Sequence, residues 1–326
     1  MTTRTLTTYN QTDEPSSPQV GEIWVASTID TNTYKIYKST GWVQFEPVPP
    51  VPPVGIIGGP VTPEKYDWTN DTITDTTSLS GIRSSLAASG IADVGIFGGG
   101  DSGYETVTDK YTYSNDTVAA GTAITSITFT ASVTDANALV FAGGYWPGTT
   151  PVTYSSKYTY SGDVVISGGS LGNARGYLNA VSAPTFGIFR GGGTGYINYV
   201  TYIDRYTYSN DTVTSVTPTG SARGAMGSAG GQDFGVFGGG YAATVYTDKF
   251  LYSDDSITAT TSLAAAKYSL FGMSTDDLAL IGGGAPNTTL TNKYTFSDDT
   301  VVAGAETSYI QSGSAAVSSS PGGMAI

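Results

Sequence analysis

One pattern returns six times along this chain and leaves few folds open to it. An apolar segment runs into glycines at Ile57, Phe97, Phe141, Phe189, Phe237 and Ile281, at separations of 40, 44, 48, 48 and 44 residues. A second segment follows each one. It reads Lys65-Tyr-Asp-Trp-Thr-Asn-Asp-Thr-Ile73 the first time and Lys110-Tyr-Thr-Tyr-Ser-Asn-Asp-Thr-Val118 the second, with close copies starting at Lys157, Arg205, Lys249 and Lys293. Tyr111 and Tyr113 share one face and Lys110 and Thr112 the other, which is the two-residue period of a strand. Ser-Asn-Asp-Thr is tight-turn chemistry, because Asn and Asp tolerate left-handed backbone and bond to their own main chain. Each unit therefore reads as four strands: a of small residues, b ending at the glycines, c with the aromatics, and d after the turn. Four short strands at this period form one blade, and six blades form a β-propeller. The fold class is all-β.

The first unit lacks a strand a of its own, since Pro49 to Pro53 runs straight into strand b. The missing strand is expected from Gln311–Ser318, so that the C-terminus closes the ring and leaves no open sheet edge. Antiparallel order puts the b–c and d–a loops on one face and the c–d turns on the other. Ten residues after the strand-d apolar positions (Ile73, Val118, Val165, Val213, Ile257 and Val301) stand Arg83, Thr128, Arg175, Arg223, Lys267 and Gln311. The four basic ones, together with the Lys or Arg opening each strand c, are expected on the loop face. The longest b–c loops bring Tyr145, Trp146, Tyr196, Tyr199 and Tyr202 to that same face. Aromatic platforms beside cations suit a glycan or a protein partner. Arg83, Arg175, Arg223, Lys267, Tyr145, Trp146, Tyr196 and Tyr199 are accordingly the candidate ligand-binding residues, weighed against internal pairing for the cations and loop packing for the aromatics. The turn aspartates Asp71, Asp116, Asp163, Asp211, Asp255 and Asp299 are accounted for by turn chemistry, and no metal or cofactor is expected.

Composition removes whole classes of chemistry. With neither Cys nor His in 326 residues, thiolate nucleophiles, Ser-His-Asp triads and imidazole metal ligands are out of reach. Paired carboxylates remain, but no acidic pair stands out, so no enzyme is expected. A net charge of −13 opposes nucleic acid. No stretch approaches a membrane span, and the first residues lack a signal peptide's apolar run.

The glycine pair after strand b and the spaced aromatics that follow resemble the kelch repeat over residues 54 to 318. The departure is the strand-d Trp of that repeat, replaced by the Ile and Val positions named above, so blades should pack on smaller anchors. Residues 1–46 do not repeat. Pro18-Gln-Val-Gly-Glu-Ile-Trp24, Tyr34-Lys-Ile-Tyr37 and Thr40-Gly-Trp42-Val43 read as a hairpin or three-stranded unit, joined by a stiff Pro-rich linker, 47–53, to the propeller, 54–326. This opening resembles short β modules of bacteriophage tail fibres and other virion appendages. That resemblance implies a virion structural protein made in a host cytoplasm. Residues 1–46 would then dock on other virion proteins or on copies of the chain, and the propeller would meet a host-surface glycan or protein. A capsid decoration or tail-assembly protein is the alternative within that class, and a carbohydrate-active enzyme using paired carboxylates the alternative outside it.

Overall fold

The computed structural model describes residues 53–319, except 102, 104, 147–148, 196–197, 218–219, 242–243 and 287, together with the backbone of residues 8–10, 23–28, 31–38 and 41–45. The chain separates into two units, Met1–Val51 and Pro52–Ile326. In the first, strands Thr8–Asn10, Ile23–Thr28, Thr31–Lys38 and Gly41–Phe45 form one sheet in that order. The last three make an antiparallel meander, and Thr8–Asn10 adds in parallel to Ile23–Val25.

The second unit is a six-bladed β-propeller. Every blade is a four-stranded antiparallel sheet in the order a-b-c-d, and among the described residues every regular element is a strand. The inner strands of blades two to six are Ala87–Gly90, Ala131–Thr134, Asn179–Ser182, Gly227–Gly230 and Phe271–Ser274. Blade one takes its inner strand from the far end of the chain, where Ala315–Ser318 pairs with Val54–Gly58 in the register Ala315 to Gly58. Each inner strand packs on the next, and the circle closes from Phe271–Ser274 through Ala315–Ser318 to Ala87–Gly90. Blade three carries an extra two-stranded hairpin, Tyr145–Trp146 with Thr150–Pro151.

The core lies between blades, which is why a chain with so few large aliphatics can fold. The first strand-c aromatic, Tyr66, Tyr111, Tyr158, Tyr206, Phe250 or Tyr294, is fully buried in each blade. It packs against strands a and b of the neighbour: Tyr111 and Phe97, for example, meet Ile56 and Val317 of blade one. The expected small strand-d anchors, Ile73, Val118, Val165, Val213, Ile257 and Val301, sit against these six clusters.

Charged groups lock the same joints. The six turn aspartates all adopt left-handed backbone, φ between 50° and 60°. Each turn carboxylate faces the strand-c cation of the preceding blade. Lys65 reaches Asp116 at 2.8 Å, Lys157 reaches Asp211 at 2.6 Å, Arg205 pairs with Asp255, and Lys249 with Asp299. Lys293 closes the circle on Asp71 at 2.7 Å. This corrects the expectation that the strand-c cations gather on the loop face with the other basic residues. Their long stems cross the blade joint, and the charges end at the turns.

Candidate functional site

The loop face is organised by a feature that no single repeat displays. Ser85, Phe129, Tyr177, Ala225, Ser269 and Gly313, one just before each inner strand, all have φ between 51° and 72°. That conformation is unfavourable for residues other than glycine. It turns each amide toward the carbonyl of its counterpart in the previous blade. Ser85 N–H donates to Gly313 at 2.8 Å, Phe129 to Ser85 at 2.9 Å and Tyr177 to Phe129 at 3.0 Å. Ala225 donates to Tyr177 at 2.8 Å, Ser269 to Ala225 at 2.7 Å and Gly313 to Ser269 at 3.1 Å. The six bonds form a closed collar around the mouth of the central channel. Below it the channel is lined by small residues such as Ala88, Ser132, Ala180, Ser228 and Gly272.

The collar fixes the register of everything around it. In blades three to six the second glycine of the pair donates its N–H to the residue two before the next collar position: Gly144 to Arg175 at 2.7 Å, Gly192 to Arg223 at 2.9 Å, Gly240 to Lys267 at 2.8 Å and Gly284 to Gln311 at 3.0 Å. Gly100 of blade two bonds Ile127 in the same way, at 3.3 Å. The counterpart of the basic position there is therefore Ile127 and not Thr128, because the preceding loop is one residue shorter.

The four basic candidates do not face a ligand. Arg83, Arg175, Arg223 and Lys267 are each at most 3% exposed. They point into their own blades, at the residue preceding the strand-c cation. Arg83 pairs with Asp109 and Arg175 with Asp204, both at 2.7 Å, and Arg223 with Asp248. Gln311 donates to Glu64 at 2.7 Å. Lys267 faces no acid at that position, which is Asn292, and donates instead to the Leu290 carbonyl at 2.9 Å. Ile127 is matched by the uncharged Ser156. Burial pulls the Arg175 guanidinium below its usual value, and Asp204 opposes that. These are joints of the propeller, which corrects their placement as surface cations.

The aromatic candidates divide. Tyr145, immediately after its glycine pair, is buried edge-on to Phe129 (6.1 Å between ring centres) and to Tyr177 (5.6 Å). Its hydroxyl donates to Gly193 O at 3.1 Å. Tyr199 stacks on Tyr241 at 5.1 Å with the rings 18° apart. Trp146 stands outside this group, 48% exposed, with its ring edge toward Tyr154. Tyr202 is half-buried beside its strand c, and Tyr196 lies outside the described residues.

Four aromatics absent from the sequence-based candidates complete the arrangement. Phe129 and Tyr177, both collar residues, lie 4.2 Å apart between ring centres. Tyr177 meets Tyr241 at 5.7 Å, and Tyr241 stacks on Tyr268 at 4.4 Å. Tyr145, Phe129, Tyr177, Tyr241, Tyr199 and Tyr268 thus form a continuous crescent over the channel mouth from blade three to blade six. Burial pushes the Tyr199 hydroxyl up to about 12, helped by Tyr241, Tyr145 and Tyr268. The opposite arc is polar. Asp101, in the post-glycine place that Tyr145 and Tyr241 hold in their blades, accepts the Ser84 hydroxyl at 2.6 Å and its amide at 2.9 Å. Among the described residues no group of three or more Asp or Glu could hold a metal ion.

A six-bladed propeller with an aromatic, polar-rimmed mouth is a scaffold shared by many activities. No protein-family model and no curated protein sequence matches the chain. Among solved structures it is similar to YjhT, with a TM-score of 0.65 over 74% of this chain and 89% of that one. At 11% identity that likeness shows the fold alone.

Proposed function

We propose that this protein is a non-enzymatic binding component of a phage particle, with kelch-like blades presenting the channel mouth to a glycan of the host surface. The carrying observation is the crescent. Tyrosine faces and edges over a channel mouth, opposed by Asp101 and serine hydroxyls, match a sugar's apolar faces and polar rim. Three loop-face carboxylates that could have served hydrolysis, Asp109, Asp204 and Asp248, are instead held in ion pairs with arginines. The virion assignment rests on the appendage-like start of residues 1–46.

Tyr199→Ala and Tyr241→Ala should each weaken binding to host cells or to purified surface polysaccharide by more than about tenfold, since interface aromatics often contribute about 2 kcal/mol. Asp116→Asn, on the turn face, should leave binding unchanged. Folded crescent variants that bind as wild type would rule out this mouth as the adhesive surface.

A second reading, a protein partner within the particle, has its own support. Ile82, Tyr246, Trp146, Ile310 and Leu290 are exposed by 42–72%, and all five stand in loops of this face. Retained host binding together with lost particle incorporation in an Ile82→Ser/Tyr246→Ser variant would favour it.

A further inference from the structure

The propeller offers no cation to a ligand at the channel mouth. Of the chain's 14 Lys and Arg, Arg4, Lys35 and Lys38 precede the propeller, leaving eleven in it. Arg83, Arg175, Arg190, Arg223 and Lys267 are buried, and Arg190 shares Asp248 with Arg223. Lys65, Lys157, Arg205, Lys249 and Lys293 end on the turn aspartates. Lys110 holds the same register in its strand c, opposite Ala119 as Lys65 is opposite Thr74.

The loop face does present acids, and they stand on the arc that the aromatic crescent leaves open. Asp101 and Glu105 belong to the b–c loop of blade two, Asp75 ends strand Thr72–Asp75 of blade one, and Glu306 lies between blade six and the closing strand. Asp75 and Glu306 are exposed and the other two half-buried. Among the described residues their hydrogen bonds come from neutral groups: Ser84 to Asp101, the Gly103 amide to Glu105 at 3.3 Å, Tyr309 to Asp75 at 3.2 Å and Thr289 to Glu306 at 2.7 Å. Burial pulls the Lys267 ammonium below its usual value and Glu306 opposes this, so Glu306 is partly offset. Asp101 is held at the collar itself, because its partner Ser84 precedes the collar residue Ser85. Ser84 takes one site on each of its oxygens, and a carboxylate can accept about four bonds.

An aromatic arc facing an acidic one, with no exposed base on the loop face, sorts ligands by charge. Tyrosine faces attract an ammonium as well as the apolar face of a sugar. The field of the acids draws cations in and turns anions away. Among the described residues no three acids could share a metal ion, so these are separate charges, as suits ammonium groups on successive sugar units. We propose, resting on the glycan reading above, that the mouth selects a polysaccharide of amino sugars whose nitrogens are free and not acetylated. An ammonium meets Asp101 while sugar faces lie on Tyr199 and Tyr241.

The probes are the glucosamine hexamer and its fully N-acetylated counterpart, titrated calorimetrically into the full chain at about pH 6, where such amines carry a proton. Wild type should bind the amine form at least about tenfold more tightly, with an affinity that falls as salt rises. Asp101→Asn should remove most of that preference and leave binding of the acetylated form as it was. Asp75→Asn/Glu306→Gln, altered only at exposed positions, should narrow the preference about threefold even if Asp101→Asn fails to fold. Asp116→Asn removes the same charge from the turn face and should change neither affinity, whereas Tyr241→Ala should weaken both. Equal binding of the two oligomers, with Tyr241→Ala still weakening both, would overturn charge selection and leave the glycan site standing. An Asp116→Asn effect as large as that of Asp101→Asn would reduce the preference to net charge and overturn it as well. So would binding of the amine form that Tyr241→Ala leaves unchanged, the behaviour of a surface for basic protein segments. If wild type binds neither oligomer the proposal falls, and the host-polysaccharide assay above judges the glycan reading separately.

Discussion

Asp116 accepts the hydroxyl of Tyr111 from its own blade at 2.7 Å and the ammonium of Lys65 from the preceding blade at 2.8 Å. Asp71 and Asp211 repeat the arrangement with Tyr66 and Lys293, and with Tyr206 and Lys157. Burial works against these carboxylates being charged, yet the ammonium and phenol bonds outweigh it and hold all three below the usual carboxylate range. A pKa depressed by folding contributes stability that is present above the unfolded value, about 4, and lost as pH falls through the folded one. Tm should thus stay level from about pH 7 to 5 and drop below about pH 4. An Asp116→Asn/Asp211→Asn variant should melt lower at pH 7, by under about 1 kcal/mol per site given the partial exposure, and show a shallower acid drop. An unchanged acid drop would take these groups out of it. Arg175→Ala is a heavier loss, because Asp204 would remain buried without its partner. Denaturant unfolding should show about 3–5 kcal/mol, and a loss under about 1 would mean that the pair is not structural. The turn geometry of Asp116 was legible in Ser-Asn-Asp-Thr. The destination of Arg175 was not, because spacing places a residue on a loop but does not aim its side chain. The repeats did hold a clue. Asp109, Asp204 and Asp248 precede the strand-c cation in the blades with an arginine two before the collar, while Ser156 and Asn292 stand in blades whose anchor is Ile127 or Lys267.

At the scale of the element, repetition made strands b and c, the turns and the closing strand readable. The collar was not, because five of its six residues are not glycine and nothing local marks Phe129 or Tyr177 for left-handed backbone. Closure of the ring is what rewards that conformation. The crescent was missed for the same reason, since four of its six aromatics belong to collar or post-glycine positions rather than to the long loops. The C-terminal segment joins several of these devices at once. Ala315–Ser318 pairs with Val54–Gly58, Gly313 both donates and accepts in the collar, and Gln311 satisfies the buried Glu64. Deleting residues 307–326 should therefore expose the inner edge of blade one, open the collar and leave Glu64 buried without its amide partner. Aggregation, or a Tm lower by more than about 10 °C, is expected. A truncated chain that stays monomeric and melts unchanged would show that the ring does not depend on its closure.

For the whole molecule the question is what each unit supplies. The Pro52–Ile326 unit contains all six blades, including the one completed by the C-terminus, and among the described residues every strand of its sheets lies between Val54 and Ser318. Its folding should not require the first unit. The first unit is one four-stranded sheet of about 50 residues, close to the size at which a domain barely buries enough surface to stand alone. The meander from Ile23 to Phe45 followed from its alternation, whereas the parallel addition of Thr8–Asn10 did not, because a three-residue strand carries no period. On the function proposed above, the small unit docks on the particle and the propeller binds outside it. Removing residues 1–46 should then yield a propeller with the wild-type far-ultraviolet spectrum and with a Tm within about 3 °C, still able to bind the host glycan. Particles assembled with only the shortened chain should lack it when their proteins are separated on a gel. If the shortened chain incorporates normally, the attachment surface lies on the propeller, and the exposed Ile82, Tyr246 and Leu290 of the loop face become the residues to substitute next.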